Sequence, residues 1–494
     1  MPATRLQRKR QHQEERIRNG LVHKLAPEVL SNIFIICGRL CEFDVEIPYR
    51  YRFPIVISAV CHQWRTIALR TCELWSRITL DDPIPWTRSA LYLARSGESA
   101  PLDIDIDMTE SFWDLTEDGT TENCTERARD ALNFIVSHGG VTSRWRSVVI
   151  GTDAFGPHRV VLDFLRSSPV PELRLLELQF NGPAEFDSDD ETAMHRATAI
   201  KPLTLFKHPP SKLHSIKLGG VPNPFIFGKK QLCLPSLTSL SLAFVDDPPK
   251  LPDFKAVLQT TTQLAVLRLD FDMVALLKPH KLTPFKSQIR LDHLRELEFS
   301  NVEDGLWPLN LLMMFKAPNL EYLNIHVAGS GCDKLLDYVA KGGNETSPQP
   351  LFPSITHLRI WLDANDYFAK PRLRSLLSAY PQITRLDIAF GPLDALTIHP
   401  WLVPSLKHLM VVGRRGAEVK RVVAARHKAG LPLEAVDFDD WSSHLMKPAE
   451  RKYLESKVNL RFISFDGEDK EVDWDVEVGG EEPYNWYGIR RGLI

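Results

Sequence analysis

The sequence predicts an α/β chain in which a small all-helical N-terminal module precedes an irregular solenoid, a curved parallel sheet with outer helices. Three observations support this fold class. A six-residue aliphatic pattern returns twelve times after residue 145, and helix-like segments separate many of the copies. Near the N-terminus, apolar residues recur instead at helical spacing. The chain therefore combines two differently built parts.

The composition is that of an ordinary globular protein. The 494 residues are 44% hydrophobic and 25% charged, and the net charge of −3 gives no general attraction to nucleic acid or anionic membrane. No run reaches the roughly 18 apolar residues that a membrane helix needs, and the N-terminus carries no apolar secretory segment. Seven scattered cysteines, an odd number, favour a reducing compartment over a disulfide framework. We expect a cytoplasmic or nuclear protein.

The two ends of the chain depart from this even mixture. Residues 1–24 hold seven Lys or Arg against two Glu, and residues 466–494 hold nine acidic residues against three basic ones. Charge runs of this kind are usually solvated tails, so we predict a basic polar N-terminal segment and an acidic C-terminal tail. The short cluster Arg8-Lys9-Arg10 leaves a nuclear import signal open as an alternative.

The repeated pattern consists of Leu, two residues, an aliphatic residue, one residue and a second aliphatic. Six copies carry a proline two residues upstream, and most starting points lie 23 to 30 residues apart. The copies are WRSVVI (145–150), LRLLEL (173–178), LHSIKL (213–218), LTSLSL (237–242), LAVLRL (264–269), LRELEF (294–299), LEYLNI (320–325), ITHLRI (355–360), ITRLDI (383–388), LKHLMV (406–411), LEAVDF (433–438) and LRFISF (460–465).

Each copy predicts a short strand, because its aliphatic pair alternates with a polar residue. Five of the intervening segments show helical apolar spacing: 158–168, 309–316, 332–340, 371–380 and 416–430. Strand, helix and strand in about 27 residues predict right-handed parallel units that stack into a solenoid.

This pattern resembles the leucine-rich repeat family over about residues 145–465. The asparagine or cysteine that usually follows the last leucine by three positions appears only once, as Asn181, so the repeats are irregular. The longest gap contains the acidic string EFDSDDE (185–191), which lacks the glycine and glutamate positions of a calcium-binding EF-hand loop. We interpret that string as an exposed insertion.

The N-terminal module begins with LAPEVLSNIFIIC (25–37), whose apolar residues lie along one helical stripe. After a loop (38–54), the spacing predicts a single second helix with Ile57, Val60, Cys61, Trp64 and Ala68 on its apolar stripe. Because two or three short helices make only a marginal core, the module is expected to need a partner that covers its apolar stripes.

The strings LAPEVLSNIF, AVCHQWRTIAL and ELW resemble an F-box, in which Leu-Pro-x-Glu, Val-Cys-x-x-Trp and Leu-Trp occur in this order. The resemblance covers residues 25–80, with Ala26 where the family has proline and a longer loop at 38–54. It implies docking on a Skp-type adaptor and, through it, on a cullin scaffold that carries ubiquitin-conjugating enzymes. The adaptor-binding residues that it implies are Leu25, Pro27, Leu30, Ile33, Phe34, Val60, Cys61, Trp64, Leu74 and Trp75.

An F-box followed by leucine-rich repeats is itself a known family architecture, and the segment between the two resemblances fits it. ALYLARSGESAPLDIDIDM (90–108) predicts a helix, a turn and a strand. We therefore predict a connecting and capping segment at 81–144 between the helical module and the solenoid.

Motifs of catalysis and metal binding are missing. The sequence has no P-loop, no strand-linked GxGxxG, no GxSxG and no HExxH. The cysteines from Cys37 to Cys72 lack the paired spacing of zinc knuckles. Cys61 and His62 are adjacent, and adjacent residues of a helix point about 100° apart, which argues against a nucleophile and its base. We expect a non-catalytic protein without a cofactor or metal.

In a solenoid of this type, the residue between the last two aliphatics faces the concave side. Those residues carry both signs of charge, whereas a phosphate-binding surface would be consistently basic. A mixed surface favours a protein partner. Trp361, on the same predicted face, is either an anchor for a partner or packs against a neighbouring repeat. The candidate substrate-facing residues are Arg268, Glu298, Arg359, Trp361 and Asp387.

These observations predict a substrate-recognition subunit of a Skp–cullin–F-box ubiquitin ligase, in which the F-box binds the adaptor and the repeats bind a protein substrate. The alternative is an interaction scaffold of the same fold that acts outside a cullin complex. Neither nucleic acid nor membrane is an expected partner.

Overall fold

The structure is a computed structural model of the 494-residue chain. The predictions for both tails, for Asn181 and the acidic string 185–191, and for most of the loop 38–54 lie outside the residues it describes. The described residues are 25–41, 53–109, 112, 121–180, 204–227, 234–245, 248–273, 282, 288–327, 330–343, 348–362, 369–439, 442 and 446–463.

Helices and strands alternate along most of the described chain. The helices are α1 (Pro27–Cys41), α2 (Phe53–Val60), α3 (His62–Arg70), α4 (Thr87–Arg95), α5 (Thr121–Ser137), α6 (Phe155–Ser167), α7 (Asn223–Ile226), α8 (Leu251–Thr260), α9 (Leu306–Met314), α10 (Asp333–Lys341), α11 (Ala369–Ala379), α12 (Gly416–Lys428) and α13 (Pro448–Glu455). Short 3-10 turns occur at Cys72–Trp75, Thr142–Arg144, Ser330–Cys332 and Leu393–Thr397.

The strands are β1 (Arg77–Ile78), β2 (Leu102–Met108), β3 (Trp145–Thr152), β4 (Leu175–Phe180), β5 (Ser215–Gly219), β6 (Ser239–Val245), β7 (Val266–Met273), β8 (Ile289–Arg290), β9 (Glu296–Val302), β10 (Phe315–Lys316), β11 (Tyr322–Val327), β12 (His357–Trp361), β13 (Arg385–Ala389), β14 (His408–Val412), β15 (Ala435–Asp439) and β16 (Asn459–Ile463). Fourteen of them form one sheet in the order β1-β2-β3-β4-β5-β6-β7-β9-β11-β12-β13-β14-β15-β16, and β8 pairs with β10. This α/β architecture, with its long parallel sheet, is consistent with a leucine-rich-repeat solenoid.

The chain divides into two compact units. Unit 1 comprises residues 1–106 and 131–146, and unit 2 comprises residues 107–130 and 147–494. The helices α1 to α4 lie in unit 1, and the strands β4 to β16 lie in unit 2.

The twelve predicted strands are all present, as β3 to β7, β9 and β11 to β16. Neighbouring strands pair in parallel with equivalent positions of the pattern in register, as Leu323 with Leu358 and Ile325 with Ile360. The first residue of the pattern is buried in eleven copies, from Trp145 to Leu433. Each unit therefore places its aliphatic residues in columns shared with its neighbours, which is how stacked repeats build one core.

The proline that precedes six copies has a structural role. In the copy that begins at Leu320, the Leu320 amide donates a hydrogen bond to the Ala317 carbonyl at 3.3 Å, so Pro318 is the second residue of a tight turn. Proline is favoured there because its ring fixes φ near the required value. The same turn precedes the copies with Pro171, Pro235, Pro353, Pro381 and Pro404.

The twelfth copy has a different register from the predicted one. The strand β16 pairs Leu460 with Val436 and Phe462 with Phe438, so the repeated unit is KVNLRF (457–462). The predicted alignment placed Ile463 and Phe465 at those positions and is wrong by three residues. Apolar residues at 458, 460, 462, 463 and 465 fit the pattern in two registers, and pairing with β15 selects one of them.

The predicted second helix of the module is also wrong, because it is two helices. The helix α2 ends at Val60, α3 begins at His62, and Cys61 between them has extended backbone angles (φ −158°, ψ 170°). The Cys61 sulfur accepts the Trp64 amide at 3.4 Å and so acts as the N-cap of α3. The predicted single apolar stripe is therefore divided between two helices, and α1 extends beyond Cys37 to Cys41.

Candidate functional site

Unit 1 exposes many large apolar side chains along its first three helices, which together we call the apolar surface of the module. Twelve large hydrophobic side chains are exposed in the described part of the chain, and eight of them lie between residues 25 and 69. Their exposed fractions run from 37% to 57%. They are Leu25, Val29, Ile33, Ile36, Ile55, Val56, Val60 and Leu69. Single exposed leucines are common, so the concentration of eight such side chains in one segment makes it the candidate interaction site.

The helix α1 contributes to this surface because it is apolar on two adjacent faces. Val29, Ile33 and Ile36 recur at intervals of four and three residues, so they share one face and are exposed. Leu30 and Phe34 lie about 100° around the same helix and are buried, with 1% and 2% exposed. The module thus covers one apolar face of α1 and leaves the other uncovered.

The covered face holds α1 on a fixed support. The Phe34 ring packs on the Trp64 indole with centroids 4.9 Å apart. The hydroxyl oxygens of Ser31 and Thr71 lie 2.9 Å apart in a hydrogen bond that joins α1 to the end of α3. Because these contacts fix the helix from below, the exposed face is presented in a defined orientation.

The helix α2 exposes Ile55, Val56 and Val60 and buries Ile57. The break at Cys61 turns the chain into α3, and the Arg65 Nε donates to the Ser58 carbonyl at 2.8 Å across that turn. The short helices are therefore tied together while most of the apolar side chains of α2 remain exposed.

The structure divides the ten residues implied by the F-box resemblance into three groups. Leu25, Pro27, Ile33 and Val60 are exposed, and Cys61 and Trp64 are half-buried. Leu30, Phe34, Leu74 and Trp75 are buried and belong to the interior of unit 1.

The motif comparison missed five members of the apolar surface: Val29, Ile36, Ile55, Val56 and Leu69. The sequence signal that identifies four of them is the excess of apolar residues in α1 and in FPIVISAV (53–60), more than one buried helix face can hold.

In unit 2, the residues between the last two aliphatics form one continuous row across the sheet, as predicted for Glu177 to Asp437, and the observed register of β16 adds Arg461. We call the side of the sheet that carries this row the front face. Consecutive members are register partners: Glu177, Lys217, Ser241, Arg268, Glu298, Asn324, Arg359, Asp387, Met410, Asp437 and Arg461.

The charged members of the row pair across neighbouring strands. Their nitrogen–oxygen distances lie between 2.7 and 3.6 Å, for Lys217–Glu177, Arg268–Glu298, Arg359–Asp387 and Arg461–Asp437. Pairs of this kind neutralise one another and, where they are exposed, contribute little to stability. The front face is therefore mixed in charge.

Asp387 is on the predicted row but does not face solvent. Its side chain is fully buried, and it accepts hydrogen bonds from Arg359 Nε and Arg385 Nε at 3.1 Å, with His357 Nε2 at 3.0 Å. Burial alone would raise the pKa of Asp387, but His357 and the two guanidinium groups hold it at about 2. The expectation that Asp387 itself contacts a substrate is corrected: it lies beneath the arginines that it orients.

Trp361 packs against neighbouring repeats, the second of its two predicted roles. Its ring centroid is 5.3 Å from that of His326 on β11, and it contacts the buried cluster of Ala389, Met410 and Val412. Arg268 and Glu298 remain partly exposed, at 40% and 25% of their side chains.

Among the described residues, no group of three or more His, Cys, Asp or Glu side chains is placed to hold a metal ion. Burial raises the pKa of the Cys332 thiol to about 12, which keeps it protonated and unreactive. No helix in this part of the chain is both long and apolar enough to cross a membrane.

No family model and no curated protein matches this chain. Among solved structures, it is similar to the crystal structure of a Bacteroides fragilis protein, at 11% identity and a TM-score of 0.34, over 70% of this chain and 84% of the other. It is also similar to the leucine-rich repeat-containing protein LegL7 from Legionella pneumophila, at 13% identity and a TM-score of 0.30, over 71% and 87% of the two chains.

Proposed function

We propose that this chain is a non-catalytic adaptor that binds one protein through its N-terminal module and another through its repeats. The observation that carries the proposal is the apolar surface of the module, where eight large hydrophobic side chains stand exposed. Half-exposed side chains of this size offer together roughly 6–12 kcal/mol of transfer free energy, before the cost of association is subtracted. That amount is comparable to the cost of association, roughly 4–15 kcal/mol, so the affinity has to be measured.

The finer proposal names the partner. The apolar surface falls on the segment that resembles an F-box, so the proposed partner is a Skp-type adaptor and, through it, a cullin. In this proposal the chain is the substrate-recognition subunit of a ubiquitin ligase in the cytoplasm or nucleus. It acts by proximity, since holding a substrate lysine near the conjugating enzyme raises the effective concentration of the reacting groups.

The experiment measures binding of the full-length chain to a purified Skp-type adaptor from the same organism. Val60→Asp and Ile36→Asp each place a charge on the apolar surface, and we expect each to weaken binding by at least about tenfold. The matched control is Leu91→Asp, because Leu91 of α4 is 49% exposed but lies outside residues 25–69. All three positions are exposed, so circular dichroism should be unchanged.

Two outcomes contradict the proposal in different ways. If the wild-type chain does not bind the adaptor at micromolar concentration, the ligase role fails, and the scaffold outside a cullin complex takes its place. If Leu91→Asp weakens binding as much as Val60→Asp, the apolar surface of the module is not the docking site.

A further inference from the structure

We propose that the front face of β11 to β13 binds a single carboxylate side chain presented by an otherwise uncharged or basic segment of a protein partner. The proposal deepens the proposed function, in that it rests on the repeats binding a protein. It is carried by the arginine pair above Asp387, by the aromatic residues beside it and by the acidic residues of the next strand.

The arginine pair provides donors for a carboxylate. Arg359 and Arg385 both donate to Asp387, yet each guanidinium has five N–H donors and uses only some of them there. Their side chains are 16% and 37% exposed. The two guanidinium groups share the buried Asp387, and Glu298 of β9 acts on Arg359 as well, so Arg385 is the cation with the most charge left for a ligand. The remaining donors match the bidentate geometry of a second carboxylate.

Asp387 acts as a positioning residue for this pair. Its buried side chain accepts from Arg359 at Oδ2 and from Arg385 at Oδ1, and His357, whose Nε2 lies 3.0 Å from the same Oδ2, is 26% exposed. Holding both arginines from below fixes their orientation, so less side-chain entropy is lost when a ligand binds.

Aromatic and amide groups adjoin the arginines. The half-buried Tyr322 ring lies 4.5 Å from the His357 ring. Tyrosine and arginine are among the residue types that dominate binding hot spots. Asn324, in register with Arg359, is 5% exposed, and its Oδ1 has no hydrogen-bond partner within the described part of the chain. A backbone N–H of a bound segment would supply one after rotation of that side chain.

The neighbouring strand limits which anions fit. On β9, Glu296 and Glu298 both pair with Arg268, and only Glu298 also acts on Arg359, so carboxylates outnumber the guanidinium group beside Glu296. Two strand spacings, roughly 10 Å, separate β9 from β12, which is about three residues of extended chain. A regular line of phosphates would meet these glutamates, so nucleic acid is disfavoured. A partner segment with one carboxylate for the arginine pair and a Lys or Arg about three residues away for the glutamates of β9 is complementary to both charges.

The test uses synthetic peptides and the full-length protein. The probes are three dodecapeptide libraries of Ala, Ser, Leu and Tyr, whose central residue is Glu, Gln or Lys. Peptides retained by immobilised protein are identified by mass spectrometry, and the best are titrated by fluorescence anisotropy. We expect Glu peptides to bind at least about tenfold more tightly than their Gln counterparts, and the difference to shrink with added salt.

Variants assign the preference to the arginines. Arg385→Gln should lower the preference for Glu about fivefold or more, and Arg385→Glu should shift it towards Lys peptides. A shift in preference cannot result from unfolding, which would abolish binding of every peptide. The matched control is Arg290→Gln, because Arg290 is 71% exposed on β8 and pairs with Asp292 away from the front face.

Several results overturn the inference: no peptide bound, no preference for Glu, or a preference that Arg385→Glu leaves unchanged. A single-stranded RNA or poly-Glu probe that outcompetes the Glu peptides would also overturn it, in favour of a polyanion site. The test does not involve the Skp-type adaptor. Val60→Asp should keep the Glu preference, so failure of adaptor docking and failure of this site are distinguishable.

Discussion

The apolar side chains of the N-terminal module and of the repeats are covered differently. In the repeats, Leu323 and Ile325 of β11 are fully buried, because the neighbouring strands present equivalent residues in register. In the module, Val60 and Ile36 are 56% and 57% exposed. A repeat covers its neighbour, whereas the described residues give the three short helices no equivalent neighbour. This difference is the basis of the proposal that another protein completes the module.

The largest expected effect tests this contrast directly. Leu358→Ala in β12 should lower the free energy of unfolding by about 2–5 kcal/mol, because it removes a fully buried side chain from a column that two strands share. Ile36→Ala should change it by less than about 0.5 kcal/mol, because that side chain is largely exposed already. Urea denaturation of the full-length chain, followed by circular dichroism, measures both.

The result for Ile36→Ala decides whether the contrast holds. If it lowers the free energy of unfolding as much as Leu358→Ala does, the Ile36 side chain is covered within the chain itself. The apolar surface would then be part of an internal core, and the contrast between the two parts would disappear.

A second prediction concerns pH, because the repeats also bury titratable groups. Burial lowers the pKa of His158 and of His326 to about 4, so both are neutral in the folded protein. In the unfolded chain they titrate near 6.5, so their contribution is fully present above that pH and is lost as the pH falls towards 4. At pH 5, each of the two histidines should therefore lower the free energy of unfolding of unit 2 by about 2 kcal/mol relative to its value at pH 7.

Asp387 does not contribute to the change in the free energy of unfolding between pH 7 and pH 5. Its pKa is held at about 2, below the value near 3.9 of an unfolded aspartate, so its stabilisation is lost only as the pH falls below about 4. Between pH 7 and pH 5, the free energy of unfolding should fall because both histidines become protonated in the unfolded chain. His158→Gln should therefore remove about half of this combined histidine effect. An unchanged pH profile in this variant would show that His158 titrates normally in the folded state.

The sequence predicted the repeats well because one pattern specifies both the strand and its burial. The period of two places Leu240 and Leu242 inward, and twelve copies identify the strands. The register of β16 was not predictable, because Leu460 and Ile463 both satisfy the pattern and only pairing with β15 distinguishes them. The burial of Asp387 depends on arginines from its own and the adjacent strand, which strand periodicity alone does not encode.

The smallest expected effect concerns the break that the sequence did not predict. If residues 53–70 were one helix, Cys61→Ala would stabilise it by up to about 0.5 kcal/mol, because alanine has the highest helix propensity. In the structure Cys61 is an N-cap with extended backbone, and its sulfur accepts the Trp64 amide. Cys61→Ala should therefore destabilise α3 by roughly 0.5–1 kcal/mol, and Cys61→Ser should equal or exceed wild type, since a hydroxyl is the better acceptor. Amide hydrogen exchange over residues 62–70 ranks the stability of α3 in wild type and the two variants. Slower exchange in Cys61→Ala than in wild type would contradict the break at Cys61 and support a single helix with an undivided apolar stripe.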